Sequence, residues 1–271
     1  MIIDFHTHIF PSSVAEKAVD KLKASSGYDN YSDGSAEGLL KSMAKSGIGI
    51  SVNMPILTNP DNFEKTLYHL IEQRDRTPDI ISFAAIHPRC IDLAGKIKTI
   101  AAAGFKGIKI HPFFQDEPLD SDKTAELVSL AEESGLFITI HPGKDASFPD
   151  SDIADECRIE RLLDVTSAKK VILAHMGAME MWKESYERLA GRDVYFDTSF
   201  SLDVMGRDLF LKTVKKHSAD RILFGTDSPW RDQKIYVDIL KNESGLSNED
   251  KEKIFYKNAV KILGLKVKND K

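Results

Sequence analysis

Eight short runs rich in β-branched and aromatic residues recur along the chain, and each is followed by a longer run with helical spacing. They are IIDFHTH (2–8), GISVNM (49–54), ISFAAIH (81–87), GIKIH (107–111), FITIH (137–141), VILAH (171–175), VYFDT (194–198) and ILFGTD (222–227). Helices are expected over 61–76, 91–103, 122–134, 153–167, 178–190, 203–217 and 230–243, with apolar residues such as Leu127, Leu130 and Ala131 at helical intervals. Gly104, Gly135 and Gly191 stand where C-terminal caps belong. Eight β-then-α units in one alternation predict an α/β protein, a (β/α)8 TIM barrel in a single domain. An open doubly wound sheet fits less well, because no Gly-rich phosphate loop is present. The stretch 12–46 reads as a helical insertion, and a last helix over 248–263 ends at Gly264.

The first strand carries DFHTH, Asp4 to His8. Strict alternation puts Asp4, His6 and His8 on one face, where two imidazoles can share one cation. A frayed, solvated strand end is the bland alternative. The other histidines decide between them. Of eight histidines, His69 and His217 lie in helical runs and are expected at the surface. His6, His8, His87, His111, His141 and His175 all fall at the C-terminal ends of strands, as do Asp197 and Asp227. In a (β/α)8 barrel that rim is where active sites are built. The clustering favours the metal reading. Imidazoles with a carboxylate suit a borderline ion such as Zn2+.

Composition limits the partners. The formal net charge of −5 leaves no basic excess for phosphate backbones, so a general nucleic-acid binder is not expected. The lysines of Lys266 to Lys271 read as a solvated tail. Cys90 and Cys157 are far apart and lack metal-type spacing, which fits a reducing cytoplasm. No apolar run reaches the length of a membrane span, and no leader sequence is evident. The expected partners are a small-molecule substrate and, as for many such barrels, a second copy in a homodimer.

DFHTHIF, GIKIHP, ITIHPG, VILAHMG, VYFDTSF, LFGTDSPW and KNAVKILGL resemble, in order, the motifs of the amidohydrolase superfamily. The nearest branch is similar to the amidohydrolase-related family of TIM-barrel metal-dependent hydrolases and aminocarboxymuconate-semialdehyde decarboxylase-like enzymes. The resemblance spans residues 2 to about 265. It implies His6, His8, His141 and Asp227 as metal ligands, with Asp227 also a proton carrier. It implies His175 as the catalytic residue acting on a metal-bound water. A fourth-strand lysine bridges two ions in some members when carboxylated. Lys109 occupies that strand, but this branch resembles the one-ion type, so one divalent ion is expected: zinc, with manganese or cobalt as substitutes. Lys109 then holds a substrate carboxylate or pairs with Asp4 or Asp227. His87, Arg89 and His111 are further candidates for substrate contact, and Asp197 for orienting His175. Trp230 and Arg231 are expected near the pocket wall, Phe113 and Phe114 on an exposed lid-like loop, and Asn258 as an anchor of the last helix.

The resemblance implies a hydrolase that directs a metal-activated water onto a small ester, lactone or amide. The alternative is a metal-dependent non-oxidative decarboxylase of a small unsaturated or aromatic carboxylate. A metal-free barrel serving as a binding module is the third reading, which the full ligand set opposes.

Overall fold

The computed structural model describes residues 1–266; the tail expected from Lys266 onward lies almost wholly outside them. Nine parallel strands run in chain order: β1 (Ile3–Thr7), β2 (Ile50–Asn53), β3 (Ile80–Ser82), β4 (Ala84–Ala85), β5 (Gly107–Ile110), β6 (Phe137–Ile140), β7 (Val171–Leu173), β8 (Tyr195–Asp197) and β9 (Ile222–Leu223). β3 and β4 are one stave interrupted at Phe83, whose N–H donates to the Asn53 carbonyl at 3.0 Å. The eight staves are therefore those expected. They form the orders β1-β2-β3 and β4 to β9. The ends join: Phe5 N donates to Phe224 O at 2.6 Å and Asp227 N to His6 O at 2.8 Å. Thr7 and Ser228 form a parallel bridge beyond them.

Side chains divide by parity along each stave. Ile3, Phe5, Val52, Phe83, Ile172 and Leu223 pack together inside the barrel, floored by Ala259, Ile262 and Leu263 of the last helix. Phe5 meets Phe83 edge to face with ring centres 5.6 Å apart. Residues of the other parity, among them Ile108, Ile110, Ile138, Ile140 and Leu173, pack outward against helices. Fully burying an apolar side chain of this size contributes roughly 1.5–3 kcal/mol, so both layers hold the staves in place.

One irregularity in β1 changes the reading of its sequence. Asp4 pairs with Ser51 but Thr7 with Asn53, so the first stave holds one residue more than the second over that step. This is a β-bulge, which flips the face of everything after it. Asp4 and His6 therefore do not share a face, contrary to strict alternation. Ile3 and Phe5 point inward and Asp4 outward, where its carboxylate accepts from Thr226 Oγ1 at 2.6 Å and Gln233 Nε2 at 2.7 Å. His6 is turned into the barrel instead.

The insertion resolves into helices Ala15–Ser26 and Ala36–Ser46. Ser35 Oγ caps the second by accepting from Gly38 N. The last helix is continuous in direction, with a π-helical turn at Lys253–Lys257 between Asn248–Glu252 and Asn258–Leu263. Asn258 Nδ2 donates to Ala219 O and Ile222 O, both at 2.7 Å, which ties this helix to β9. Two expectations change. His217 is wholly buried, stacked on Phe196 with ring centres 3.8 Å apart, because its helix turns that side to β8. Phe113 and Phe114 sit on a short helix, Pro112–Gln115, with Phe113 buried, rather than on an exposed loop.

Candidate metal and catalytic site

The bulge and the strand ends bring three donor atoms together at the barrel mouth. Asp227 Oδ1 lies 3.0 Å from His8 Nε2 and 3.5 Å from His6 Nε2. One donor from each of His6, His8 and Asp227 falls within 4.8 Å of the others. Atoms about 2.0–2.2 Å from a tetrahedral ion stand roughly 3.3–3.6 Å apart, so this spacing fits one divalent cation. Gly225 permits the approach of the first and eighth staves: a Cβ there would stand 2.9 Å from His6 Cβ.

His6 is held from behind. Its Nδ1 is 2.8 Å from Asp197 Oδ2. Donation from Nδ1–H to that carboxylate leaves the Nε2 lone pair facing Asp227, the tautomer a metal ligand needs. Burial works to raise the Asp197 carboxyl, but the His6 imidazole at hydrogen-bond distance outweighs it and holds Asp197 well below the ordinary carboxylate range. Asp227 is likewise held low: burial opposes, but the hydrogen bond with His8 and the neighbouring imidazoles prevail. Asp197 was expected to orient the His175 ring. Instead it receives the His175 backbone N–H at 3.0 Å and directs its other oxygen to His6.

His175 is engaged at both ring nitrogens. Nδ1 lies 3.1 Å from Ser199 O and 2.9 Å from Ser199 Oγ, and Nε2 lies 2.9 Å from His141 Nδ1. Its ring centre is 5.3 Å from that of His6. Burial pushes the His175 imidazole down to about 4, so it is neutral at pH 7. His175, Met176 and Asp227 all adopt positive φ, at 59°, 55° and 73°. Three such non-glycine residues in one site represent backbone strain sustained by the surrounding contacts.

His141 does not join the His6, His8 and Asp227 donors. It groups with His111 and Asp145, with Nε2 3.0 Å from Lys144 O. Lys109 lies on β5, wholly buried, with Nζ 3.5 Å from His6 Nε2. Its cation pairs with neither Asp4 nor Asp227 directly. Burial lowers the ammonium to about 8, while the charges of Asp197 and Asp227 act in the other direction.

Two substrate candidates lie elsewhere. Arg89 is turned to the outer loop, where Nε donates to Glu117 Oε2 at 2.6 Å and a second nitrogen to Asp116 O. His87 closes its own turn by accepting the Arg89 N–H on Nδ1 at 3.0 Å. Ser199, Asp145 and Gln233 were not singled out from the sequence. The DTS triplet places Ser199 two residues beyond Asp197, but its contacts reach His175 at the end of the neighbouring stave and His6 at the end of the first. Over the mouth, Tyr28 from the insertion donates to Glu180 at 3.1 Å, and the Arg231 guanidinium stands 3.5 Å above the Phe200 ring.

A closed parallel barrel with paired imidazoles, a carboxylate at the eighth strand and a histidine at the sixth defines a metal-dependent barrel enzyme of the amidohydrolase type. The sequence model described as amidohydrolase matches residues 3–265, and the chain belongs to that family. No curated protein matches the chain. Among solved structures it is similar to a TIM-barrel protein from Bordetella bronchiseptica (TM-score 0.75, 17% identity, covering 97% of this chain and 98% of that one). It is similar also to 5-carboxyvanillate decarboxylase from Sphingomonas paucimobilis (0.71, 16%, 98% and 99%). A third is a dihydroxybenzoic acid decarboxylase from Polaromonas sp. JS666 with bound manganese and 2-nitroresorcinol (0.72, 17%, 97% and 96%). At such identities the likeness shows the fold alone. No helix among the described residues is long and apolar enough to cross a membrane.

Proposed function

We propose that the chain is a metal-dependent carbon–carbon lyase that releases carbon dioxide from a small aromatic or unsaturated carboxylate. The observation that carries this reading is Lys109. A buried ammonium stands beside the His6 donor atom, and among the described residues no carboxylate forms an ion pair with it. Burying a cation without a partner is costly, and a substrate carboxylate supplies the missing charge. The two decarboxylases of similar fold act, by their names, on aromatic acids, which supports the same choice.

A divalent ion held by His6, His8 and Asp227, with His141 as candidate fourth ligand, would supply positive charge to substrate oxygens, and zinc and manganese both suit these donors. Lys109 pairs with the carboxylate and fixes its orientation. Asp197 keeps the His6 ring in place. Loss of carbon dioxide leaves an electron pair on carbon, and a proton must come to that atom. That proton comes from solvent, and Asp227, itself held ionised, is assigned to orient the donor, since its side chain is 10% exposed whereas Asp197 is wholly buried. Hydrolysis, which the resemblance put first, needs a base with a lone pair free for water. Both ring nitrogens of His175 are already engaged, so His175 is assigned to positioning His141. Two free cysteines support a reducing compartment such as the cytoplasm.

The test offers metal-loaded protein a panel of hydroxybenzoates and unsaturated acids beside esters, lactones and amides. Carbon dioxide release from at least one acid is expected. Turnover confined to esters, lactones or amides, with no carbon dioxide formed, overturns the proposal. Lys109→Met is expected to raise KM for the acid while bound metal stays unchanged.

A further inference from the structure

The insertion that follows β1 crosses the mouth of the barrel. Ser25 Oγ, near the end of its first helix, lies 2.9 Å from Ser147 Oγ in the loop after β6, and Tyr28 donates to Glu180 after β7. β6 and β7 are the fifth and sixth staves, across the barrel from the first. That helix buries only Ala15 and Val19, so its end is placed by these crossings and by Tyr28. Gly27 turns the chain after the helix at a φ of 75°, a left-handed value that favours glycine, and delivers Tyr28 to the mouth.

The Tyr28 ring is half-buried. It packs on Phe200 with ring centres 4.7 Å apart and planes inclined by 58°, and the Arg231 guanidinium stands 5.6 Å from its centre. Phe200 directly follows Ser199, which touches both His6 and His175, so the aromatic pair stands beside the metal and catalytic residues. The Tyr28 hydroxyl is turned away to the exposed Glu180. Burial, Glu180 and the charge of Asp145 push the phenol up to about 12 against Arg231, so it stays a protonated donor. Asp145 itself lies 3.5 Å from His111 Nε2, on the far side of the mouth. There the half-buried Phe114 packs on His111 at 4.7 Å, and the half-buried Phe148 on Phe114 at 5.2 Å.

We propose that Tyr28 roofs an aromatic-walled slot between Phe200 and Phe114 and thereby sets the size of acid that the site admits, a single ring and not two fused rings. The ring of Tyr28 is the barrier, and its hydroxyl serves only to hold it down through Glu180. The proposal rests on the reading of the site as one for carboxylic acids.

The test measures binding of 2-hydroxybenzoate and of a hydroxynaphthoate to metal-loaded protein by calorimetry, with carbon dioxide release followed in parallel. The wild type should prefer the one-ring acid by at least about tenfold, the scale on which a pocket wall discriminates by size. Tyr28→Ala should bring that ratio close to one. Tyr28→Leu, which keeps an apolar contact with Phe200, should shift it the same way and serves if the alanine variant does not fold. Tyr28→Phe keeps the ring and should keep the wild-type ratio. No preference in the wild type, an unchanged ratio in the alanine or leucine variant, or binding of neither acid overturns the proposal. Size-selective binding without carbon dioxide from any acid leaves Tyr28 as the roof and overturns the lyase reading; carbon dioxide from both sizes alike does the reverse.

Discussion

His6 faces two ways. Its Nδ1 is tied to Asp197, and its Nε2 is thereby left to face Asp227 and Lys109. Partners of this kind typically change metal affinity about 10- to 100-fold. Asp197→Asn is therefore expected to weaken metal binding by that factor with the fold intact, measured by competition with a chelator; unchanged affinity would show that the tautomer is fixed some other way. That His6, His8 and Asp227 come together was legible from sequence because each ends a strand, and strand ends in this fold share one rim. The Asp197–His6 pair was not, since the partners are 191 residues apart and meet across the barrel. Arg89 misled for the opposite reason: a local acid, Glu117, captures it before it reaches the mouth.

The elements matter through how they are anchored and interrupted. Helices and strands were legible because their apolar spacing is local, yet the bulge in β1 left no mark in DFHTH. It exists because β1 must meet β2 on one side and the Thr226–Asp227 segment on the other. The last helix depends on Asn258, whose amide satisfies two carbonyls. Asn258→Ala leaves both without that donor, at about 1–3 kcal/mol for each buried polar group. A loss of about 2–4 kcal/mol in urea unfolding is expected. A loss below about 1 kcal/mol would mean that the helix is held by the apolar floor alone.

The whole barrel should be sensitive to acid. Burial, with the charge of Arg221, holds the His217 imidazole down to about 4. An unfolded histidine titrates near 6.5, so on acidification the unfolded chain takes up a proton before the folded one does. Stability is then fully present above about 6.5, is lost as pH falls from there to about 4, and levels off below, by up to roughly 3 kcal/mol for this group. His217→Asn keeps an acceptor for Gly191 N and removes the titration. Its unfolding free energy should fall less between pH 7 and pH 5 than that of the wild type; an equal fall would assign the acid sensitivity to other groups. The central claim is that the first strand and Asp227 hold a divalent ion, and the metal content of His8→Ala tests it most directly. With less than one equivalent of zinc or manganese supplied and a chelator competing, the wild type should retain the ion. His8→Ala should lose tight binding while its circular dichroism stays that of the wild type. Equal retention by wild type and His8→Ala would contradict the account.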